Sequence, residues 1–172
     1  LGSGDGITVI TAAQRGIRAM GIEYNPEMVT LSKQRAKEAG VTDRVTFVQA
    51  DLFETDLSKA PVITMFLLPS INMRLRPTLL NLKPGTRIVS NSFDMEDWQP
   101  DDRVTAPGDC TSWCTALLWI VPAKVQGSWQ LPQGELVLTQ NFQMITGSLG
   151  GKPLATSTLH GDEISFSIGG VT

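Results

Sequence analysis

The first residues with potential chemistry form a glycine-rich loop directly before a predicted helix. The loop consists of Gly2, Ser3, Gly4, Asp5 and Gly6. Glycines let the backbone turn sharply and let a ligand come close to main-chain N–H groups at the start of a helix. Taken alone, such a loop is as consistent with a tight turn as with a binding site, so its interpretation depends on the residues that follow.

Two carboxylates follow the loop at positions suited to a nucleoside. Glu23 ends the next predicted strand, where an acid can accept hydrogen bonds from two ribose hydroxyls, although alone it reads as a solvated charge. Asp51 closes the following strand, where it can accept from the adenine amine, with Leu52 and Phe53 as apolar walls. Open α/β sheets bind ligands at the carboxyl ends of their strands. The three features together predict a nucleoside site.

The elements that position these residues alternate in type up to about residue 92. Apolar runs at 18–24, 45–49 and 62–68 predict strands, and the last is apolar on both faces, as in a buried parallel strand. Between them, Asn25 as N-cap and Gly40 after the last turn delimit a helix. Its predicted inner face consists of Met28, Leu31, Arg35 and Ala39.

The second half of the chain changes character. After a predicted helix at 71–82 and a strand from 87, residues 93–109 form a polar, acidic loop, followed by a strand at 112–121. Alternation over 135–146 predicts one strand, and residues 152–168 predict a hairpin around Gly161 and Asp162. We expect a Rossmann-like domain over 1–123 and a β-rich antiparallel extension over 124–172.

The segments LGSGDG, GIEYNPEMV and VTFVQADLFE resemble motifs I, II and III of class I (Rossmann-like) S-adenosylmethionine-dependent methyltransferases. The resemblance covers roughly residues 1–123. It implies an α/β fold with a mostly parallel sheet and helices on both faces, and S-adenosylmethionine as cofactor. The cofactor-binding residues it implies are Gly2, Ser3, Gly4, Asp5, Gly6, Glu23, Tyr24, Asp51, Leu52 and Phe66. Nicotinamide-dependent dehydrogenases are a weaker alternative, because they prefer GxGxxG and lack the ADLF element.

The segment after the third predicted strand, with the helix and strand that follow, looks like the non-SET protein-lysine methyltransferases. The acceptor is then a protein lysine or another amine, bound near Phe66, Leu67 and residues 91–98. The histone-lysine class has paired asparagines where this chain has Ile63 and Thr64. A small-molecule methyltransferase whose tail covers the acceptor, and a non-catalytic nucleoside-binding protein with the tail as interaction module, are the alternatives. No catalytic base is identified, since the only histidine, His160, lies in the tail.

Composition excludes several other classes. A net charge of −3 argues against nucleic acid as the main partner, and no apolar run approaches the length that spans a bilayer. Two cysteines and one histidine do not make a structural zinc site. We expect Cys110 and Cys114 to be half-buried thiols rather than a disulfide. The four tryptophans, Trp98, Trp113, Trp119 and Trp129, are expected in the core or at a domain contact.

The chain begins inside a motif that in this family follows a central strand, so the first strand of the sheet is absent from the sequence. Its neighbours would be left with unpaired backbone groups, each costing about 1–3 kcal/mol. We therefore expect upstream residues in a parent protein, or another segment or chain, in that position. Unpaired edges also favour a homodimer through strand exchange. A cytoplasmic location is favoured because S-adenosylmethionine is cytosolic, and secretion of the parent protein stays open.

Overall fold

The computed structural model of the protein describes residues 1–169, so residues 170–172 of the expected extension lie outside its described part. Residues 1–169 form three helices and eleven strands. The helices are α1 (Ile7–Gln14), α2 (Pro26–Glu38) and α3 (Pro69–Leu79). The strands are β1 (Ala19–Glu23), β2 (Val45–Gln49), β3 (Val62–Met65), β4 (Arg87–Asn91), β5 (Asp102–Thr105), β6 (Thr115–Ile120), β7 (Gly127–Leu131), β8 (Gly134–Asn141), β9 (Met144–Leu149), β10 (Lys152–His160) and β11 (Glu163–Ile168).

The strands form three sheets. Strands β1 and β2 pair in parallel, and a second sheet has the order β3-β4-β6-β5. Within it β3 and β4 are parallel, whereas β6 runs antiparallel to both β4 and β5. Strands β7 to β11 form an antiparallel meander. The α/β architecture is confirmed, and the expected parallel pairing holds for β1/β2 and β3/β4, whereas β6 runs against β3, β4 and β5 and makes the second sheet mixed.

The start of the chain lies between the two parallel pairs. The nitrogen of Leu1 donates to the carbonyl of Thr64 in β3 at 2.6 Å, and the nitrogen of Ser3 donates to that of Ile22 in β1 at 3.0 Å. Within residues 1–169, β1 pairs with no strand except β2, and β3 with none except β4. Residues 1–3 thus connect the end of β1 with the end of β3.

Helix α2 begins as its sequence dictates. The Asn25 side chain accepts from the Glu27 N–H at 2.8 Å, and Pro26 occupies the first turn. The predicted inner face is wrong by one position, since the buried residues are Val29, Ser32 and Ala36. Arg35, expected to cover the core with its stem, is exposed and forms an ion pair with Asp5 instead.

Helices pack on opposite faces of the parallel strands. Phe47 of β2 joins the apolar cluster formed with α1 and α2, whereas Ile22 of β1 joins the cluster that holds Leu75 and Leu79 of α3. Phe47 lies opposite Gly21 in the β1/β2 register, and successive strand residues face opposite sides. The helices therefore leave the ends of the strands uncovered, which is where the glycine loop lies.

The structure contradicts three predictions about strands. Strand β3 ends at Met65 and exposes Val62, so it is not buried on both faces. The loop expected at 93–109 contains β5, whose residues are all exposed and lack any apolar alternation. The strand expected at 135–146 is a hairpin, because the chain turns at Phe142 with a φ of 53°. The hairpin predicted around Gly161 is confirmed as β10 and β11.

Tryptophans join the two halves of the molecule. Trp98 and Trp119 are fully buried, as expected, and their ring centroids lie 6.2 Å apart. Trp98 also stacks on Phe142 and donates to the Gln143 side chain at 3.1 Å, which ties the acidic loop to the β8/β9 turn. Trp113 and Trp129 are 55% and 48% exposed, so neither lies in the core, which was one of the two positions expected for them. None of the helices in the described residues is long and apolar enough to cross a membrane.

Candidate functional site

The glycine loop requires glycine for steric reasons. Gly2, Gly4 and Gly6 have φ values of 59°, 51° and 83°, in the left-handed region that other residues rarely adopt. A Cβ on Gly6 would lie 2.9 Å from atoms of Ser32 and Phe47, and one on Gly2 would lie 2.7 Å from Leu67. A Cβ on Gly4 would meet nothing within 4 Å. The loop is thus packed at both ends and open at Gly4.

The backbone N–H groups of the loop are largely used within the protein. Ser3 donates to Ile22, Gly6 donates to the Ser3 carbonyl at 2.9 Å, and Gly4 donates to Glu23. The expectation that the main-chain amides of the loop grip a ligand therefore does not hold for these three donors. The glycines shape a surface for a ligand rather than offering these N–H groups to it.

Glu23 joins the loop to the end of β1. One carboxylate oxygen accepts from the Gly4 N–H at 2.8 Å, and the other accepts from the Asn25 N–H at 3.0 Å. The hydroxyl of Ser32, in α2, donates to the Gly4 carbonyl at 2.9 Å. Because a carboxylate has about four acceptor positions, two remain for hydroxyl donors of a ligand. Glu23 is therefore both a structural tie and a candidate ligand acceptor.

Asp51 follows β2 on the neighbouring strand. The Ala50 N–H donates to the Glu23 carbonyl at 3.1 Å, which brings the ends of β1 and β2 together. One Asp51 oxygen accepts from the Phe53 N–H at 2.8 Å and so closes a turn. Leu52 and Phe53 are half-buried against the apolar cluster that contains Leu75 and Leu79 of α3. The guanidinium carbon of Arg74 lies 3.7 Å from the centre of the Phe53 ring. Phe53 is therefore covered by an arginine rather than standing as a free apolar wall.

The structure separates the other predicted site residues into two groups. Asp5 is occupied within the protein, since one oxygen accepts from the Ile7 N–H at 3.2 Å and the other pairs with Arg35. The buried Ser3 hydroxyl has no hydrogen-bond partner within the described residues. Tyr24 and Phe66, by contrast, are 75% and 50% exposed. Only these two rings are free to cover a ligand.

An aromatic cluster stands beside the glycine loop. Phe66 stacks on Phe93 with centroids 5.8 Å apart, and Trp113 lies 5.7 Å from Phe66 and 5.0 Å from Phe93. We call these three rings the aromatic wall. The sequence predicted the acceptor near Phe66 and residues 91–98, which include Phe93, but placed Trp113 in the core or at a domain contact. Trp113 belonged to the strand expected at 112–121, whereas β6 begins only at Thr115.

Two buried side chains and a disulfide hold the aromatic wall. The Ser90 hydroxyl and the Asn72 amide both donate to the Phe93 carbonyl, at 2.7 and 3.2 Å, and both residues are fully buried. Cys110 and Cys114 form a disulfide with a Cα–Cα distance of 5.8 Å, so the expectation of two free thiols is wrong. Sequence spacing could not reveal that distance. The disulfide closes the short loop that carries Trp113.

The loop between β4 and β5 contains Asp94, Glu96, Asp97 and Asp101 and no lysine or arginine. Asp94 and Glu96 lie near its start, at the edge of the aromatic wall, whereas Asp101 accepts from Ile120 at the end of β6 and so lies at the opposite edge of the sheet. A hydrogen bond from Arg76 of α3 holds the pKa of Asp97 below its usual range. Burial raises the pKa of Asp101, although its carboxylate accepts from the Ile120 N–H at 2.7 Å. At the edge of the aromatic wall, Asp94 and Glu96 therefore favour cationic rather than anionic ligands.

Two shallow surface depressions lie away from this edge. One, of about 240 Å³, lies at the opposite ends of β1 and β2 beside Arg18 and Arg44. The other, of about 420 Å³, lies between Lys33 and Phe47. Neither touches the glycine loop, Glu23, Asp51 or the aromatic wall, so concavity alone does not mark the candidate site.

Known proteins match the first part of the chain. Residues 1–102 match the family model of the ANTKMT methyltransferase domain. A protein-lysine N-methyltransferase of Saccharolobus islandicus is 43% identical over 105 residues, which cover 59% of this chain and 65% of the relative. The adenine nucleotide translocase lysine N-methyltransferase of Mus musculus is 40% identical over 102 residues, which cover 58% of this chain and 44% of the relative. The chain thus spans less than two thirds of either relative.

A solved structure extends the comparison to the fold. The RNA methyltransferase from Salinibacter ruber in complex with S-adenosyl-L-homocysteine superposes with a TM-score of 0.65 and 48% sequence identity. The match covers 72% of this chain and 79% of that one. The arrangement of α1–α3 and β1–β6 is accordingly an α/β methyltransferase fold.

Proposed function

The chain belongs to the ANTKMT methyltransferase domain family, and from this premise we propose that it transfers a methyl group from S-adenosylmethionine to a protein lysine. The observation that carries the proposal is the link between Glu23 and the Gly4 N–H at the end of β1. It fixes a carboxylate beside an open left-handed glycine, with Asp51 on the adjoining strand. This combination suits the adenosine part of the cofactor.

Particular residues would hold the cofactor. Glu23 has acceptor positions left for the two ribose hydroxyls, and the second oxygen of Asp51 suits the adenine amine. The open side of Gly4 leaves room for the part of the ligand between ribose and methionine. The full proposed set is Gly2, Ser3, Gly4, Asp5, Gly6, Glu23, Tyr24, Asp51, Leu52 and Phe66, in which Asp5 acts only by shaping the loop.

The chemistry needs little from the protein beyond positioning. When bound, S-adenosylmethionine supplies a methyl group on a sulfonium, which is already a strong electrophile. The chain's residues would align the acceptor amine with that methyl and exclude water, since orientation alone lowers a barrier by several kcal/mol. Leu67, packed on Gly2, and Phe66 beside it stand where the acceptor must approach the glycine loop. We assign no catalytic base.

A protein lysine is preferred over other acceptors for two reasons. The two curated relatives are named as lysine methyltransferases, whereas the solved structure is named as an RNA methyltransferase. The net charge of −3 and the acidic loop at 94–101 disfavour a polyanion, because RNA binding relies on concentrated lysine and arginine. A small-molecule amine has no specific observation in its favour.

Organisation is part of this proposal. We propose that residues 1–123 form the catalytic domain with 124–172 as an extension. We also propose that the position between β1 and β3 can take a strand from a second copy, giving a homodimer. Light scattering checks the last point, since a strictly monomeric chain would contradict it.

The function is tested by following the methyl group. The full chain is incubated with tritium-labelled S-adenosylmethionine and, in separate reactions, with total cell protein or total RNA. Acid hydrolysis should return the label as methyllysine from the protein reaction, and the Glu23→Gln variant should return none above background. Label in RNA, or in neither reaction, would contradict the proposal.

A further inference from the structure

Three chain segments bring an aromatic ring to one edge of the second sheet. Phe66 follows β3, Phe93 follows β4, and Trp113 precedes β6. Because β6 runs antiparallel to β4, its beginning lies at the same edge as the ends of β3 and β4. Phe66 and Trp113 are 50% and 55% exposed, which is unusual for large rings that contact one another. The aromatic wall therefore presents ring surface to solvent.

The aromatic wall is continuous with the glycine loop. Leu67 follows Phe66 directly, and its side chain packs so closely on Gly2 that a Cβ there would lie 2.7 Å away. The Leu1 nitrogen also donates to the carbonyl of Thr64, two residues before Phe66. A side chain lying on the aromatic wall would consequently point its end toward the open surface of the loop.

The backbone at the wall is held in costly conformations. Ser92 and Trp113 have φ values of 62° and 57°, in the left-handed region that non-glycine residues rarely occupy. Ser92 is fixed by its N–H bond to the Thr115 carbonyl at 2.7 Å, and Trp113 lies inside the disulfide loop. Such strain persists where surrounding contacts enforce it. Here these contacts fix the direction of the Trp113 ring and of the Phe93 ring that follows Ser92.

The surrounding charge favours a cation. Asp94 follows Phe93, Glu96 lies two residues on, and Asp109 adjoins the disulfide loop. Residues 92–101 and 106–114 contain no lysine or arginine. From α3, Arg76 pairs with Asp97 and Arg74 lies over Phe53, so both of these cations are already engaged. Aromatic faces attract cations, and uncompensated carboxylates nearby add to that attraction.

We propose that the aromatic wall of Phe66, Phe93 and Trp113 binds the alkylammonium side chain of the acceptor lysine, an inference that rests on the proposed function. The aliphatic stem lies on the rings and the ammonium lies over an exposed ring face, where it is open to solvent and can lose a proton before the neutral amine takes the methyl group. Methylated ammonium groups bind aromatic faces well, so the same surface can retain the product for another methylation. Basic residues beside the acceptor lysine would then lie near Asp94 and Glu96.

The experiment uses fluorine NMR on the full chain labelled with 5-fluorotryptophan. The Trp113 and Trp129 signals are assigned with Trp113→Phe and Trp129→Phe variants. Trp129 is a matched control, because it is comparably exposed but lies in β7. The probes are Nα-acetyl-lysine methylamide, its norleucine analogue, which lacks the ammonium, and a uridine oligonucleotide. The signals of buried Trp98 and Trp119 report whether each variant is folded.

The lysine probe should shift the Trp113 signal saturably and leave the Trp129 signal in place. Its apparent affinity should fall about two- to fivefold in Phe93→Leu, and the norleucine analogue should bind more weakly by a similar factor. An equal response to norleucine, a response to the oligonucleotide alone, or no response overturns the inference. S-adenosylhomocysteine is titrated into the same samples, so loss of cofactor binding is scored separately and counts against the proposed function alone.

Discussion

The two halves of the molecule use strands differently. In the first, β1/β2 and β3/β4 are parallel pairs, so the ends of β1 and β2 bring Glu23 and Asp51 together. Phe66 follows β3 next to Leu67, which packs on the glycine loop. In the second, β7 to β11 form antiparallel neighbours whose successive ends alternate between edges. No single edge of that sheet therefore collects side chains from every strand.

The two halves also differ in the apolar clusters that stabilise them. The first half has two apolar clusters, one with α1 and α2 and one with α3, whereas the second has a smaller cluster around Leu136 and Leu138. The family match ends at residue 102, close to the acidic loop. The parallel strands of the first half thus carry the candidate site. The antiparallel meander of the second half contacts the first half through Trp98, which packs on the β8/β9 turn.

The largest effect is expected from removing that attachment. Trp98→Ala deletes a fully buried ring and its hydrogen bond to Gln143, which should lower the free energy of unfolding by about 3–5 kcal/mol. Trp129→Ala, the matched change at an exposed ring in the second half, should cost less than about 1 kcal/mol. Urea denaturation followed by circular dichroism measures both. Similar losses in the two variants would show that Trp98 does not join the halves.

A smaller loss of stability is expected when a glycine is replaced by alanine, and the loss should be larger where the glycine is closely packed than where it is open. Gly6→Ala imposes left-handed strain and pushes a Cβ to 2.9 Å from Ser32 and Phe47, so we expect a loss of about 2–4 kcal/mol. Gly151 in the second half has a similar φ of 78° but nothing within 4 Å of its Cβ position, so Gly151→Ala should cost only about 1–2 kcal/mol. Equal thermal shifts would contradict the packing account of the loop.

The smallest effect concerns pH. Burial raises the pKa of Asp101, so the folded chain holds this proton more tightly than the unfolded chain does. The ionised carboxylate therefore reduces stability at neutral pH, and this penalty disappears as the pH falls below the usual value of 3.8. Asp101→Asn should be the more stable protein near neutrality and equal to the wild type in acid. A stability difference that does not change with pH would contradict this.

Local signals in the sequence predicted elements in both halves. The Asn25 cap, the limits of β2 at Val45–Gln49 and the β10/β11 hairpin are confirmed, because each depends on residues adjacent in the chain. The mixed sheet was not predicted, since β5 has no apolar alternation and exists through pairing with β6. The rotation of the α2 face reflects tertiary packing against the glycine loop, where Ser32 bonds the Gly4 carbonyl.

The sequence predicted the acids of the candidate site and Phe66, but not the part that Trp113 takes in the aromatic wall. Glu23 and Asp51 could be placed because strand ends of a parallel sheet meet, whereas the use of the Gly4 N–H by Glu23 depends on side-chain geometry. The disulfide and the exposure of Trp113 depend on the path of a loop between distant strands. Such contacts leave no periodic signal in the sequence.

The central claim is that Glu23 holds the ribose of the cofactor beside the glycine loop. Isothermal titration of S-adenosylhomocysteine into the wild type, Glu23→Gln and the control Glu163→Gln, an exposed acid of β11, tests it directly. We expect binding to the wild type and to the control, and an affinity lower on the order of 100-fold in Glu23→Gln, since two charge-assisted hydrogen bonds weaken. A folded wild type that does not bind the nucleoside, or a Glu23→Gln variant that binds it unchanged, would contradict the account.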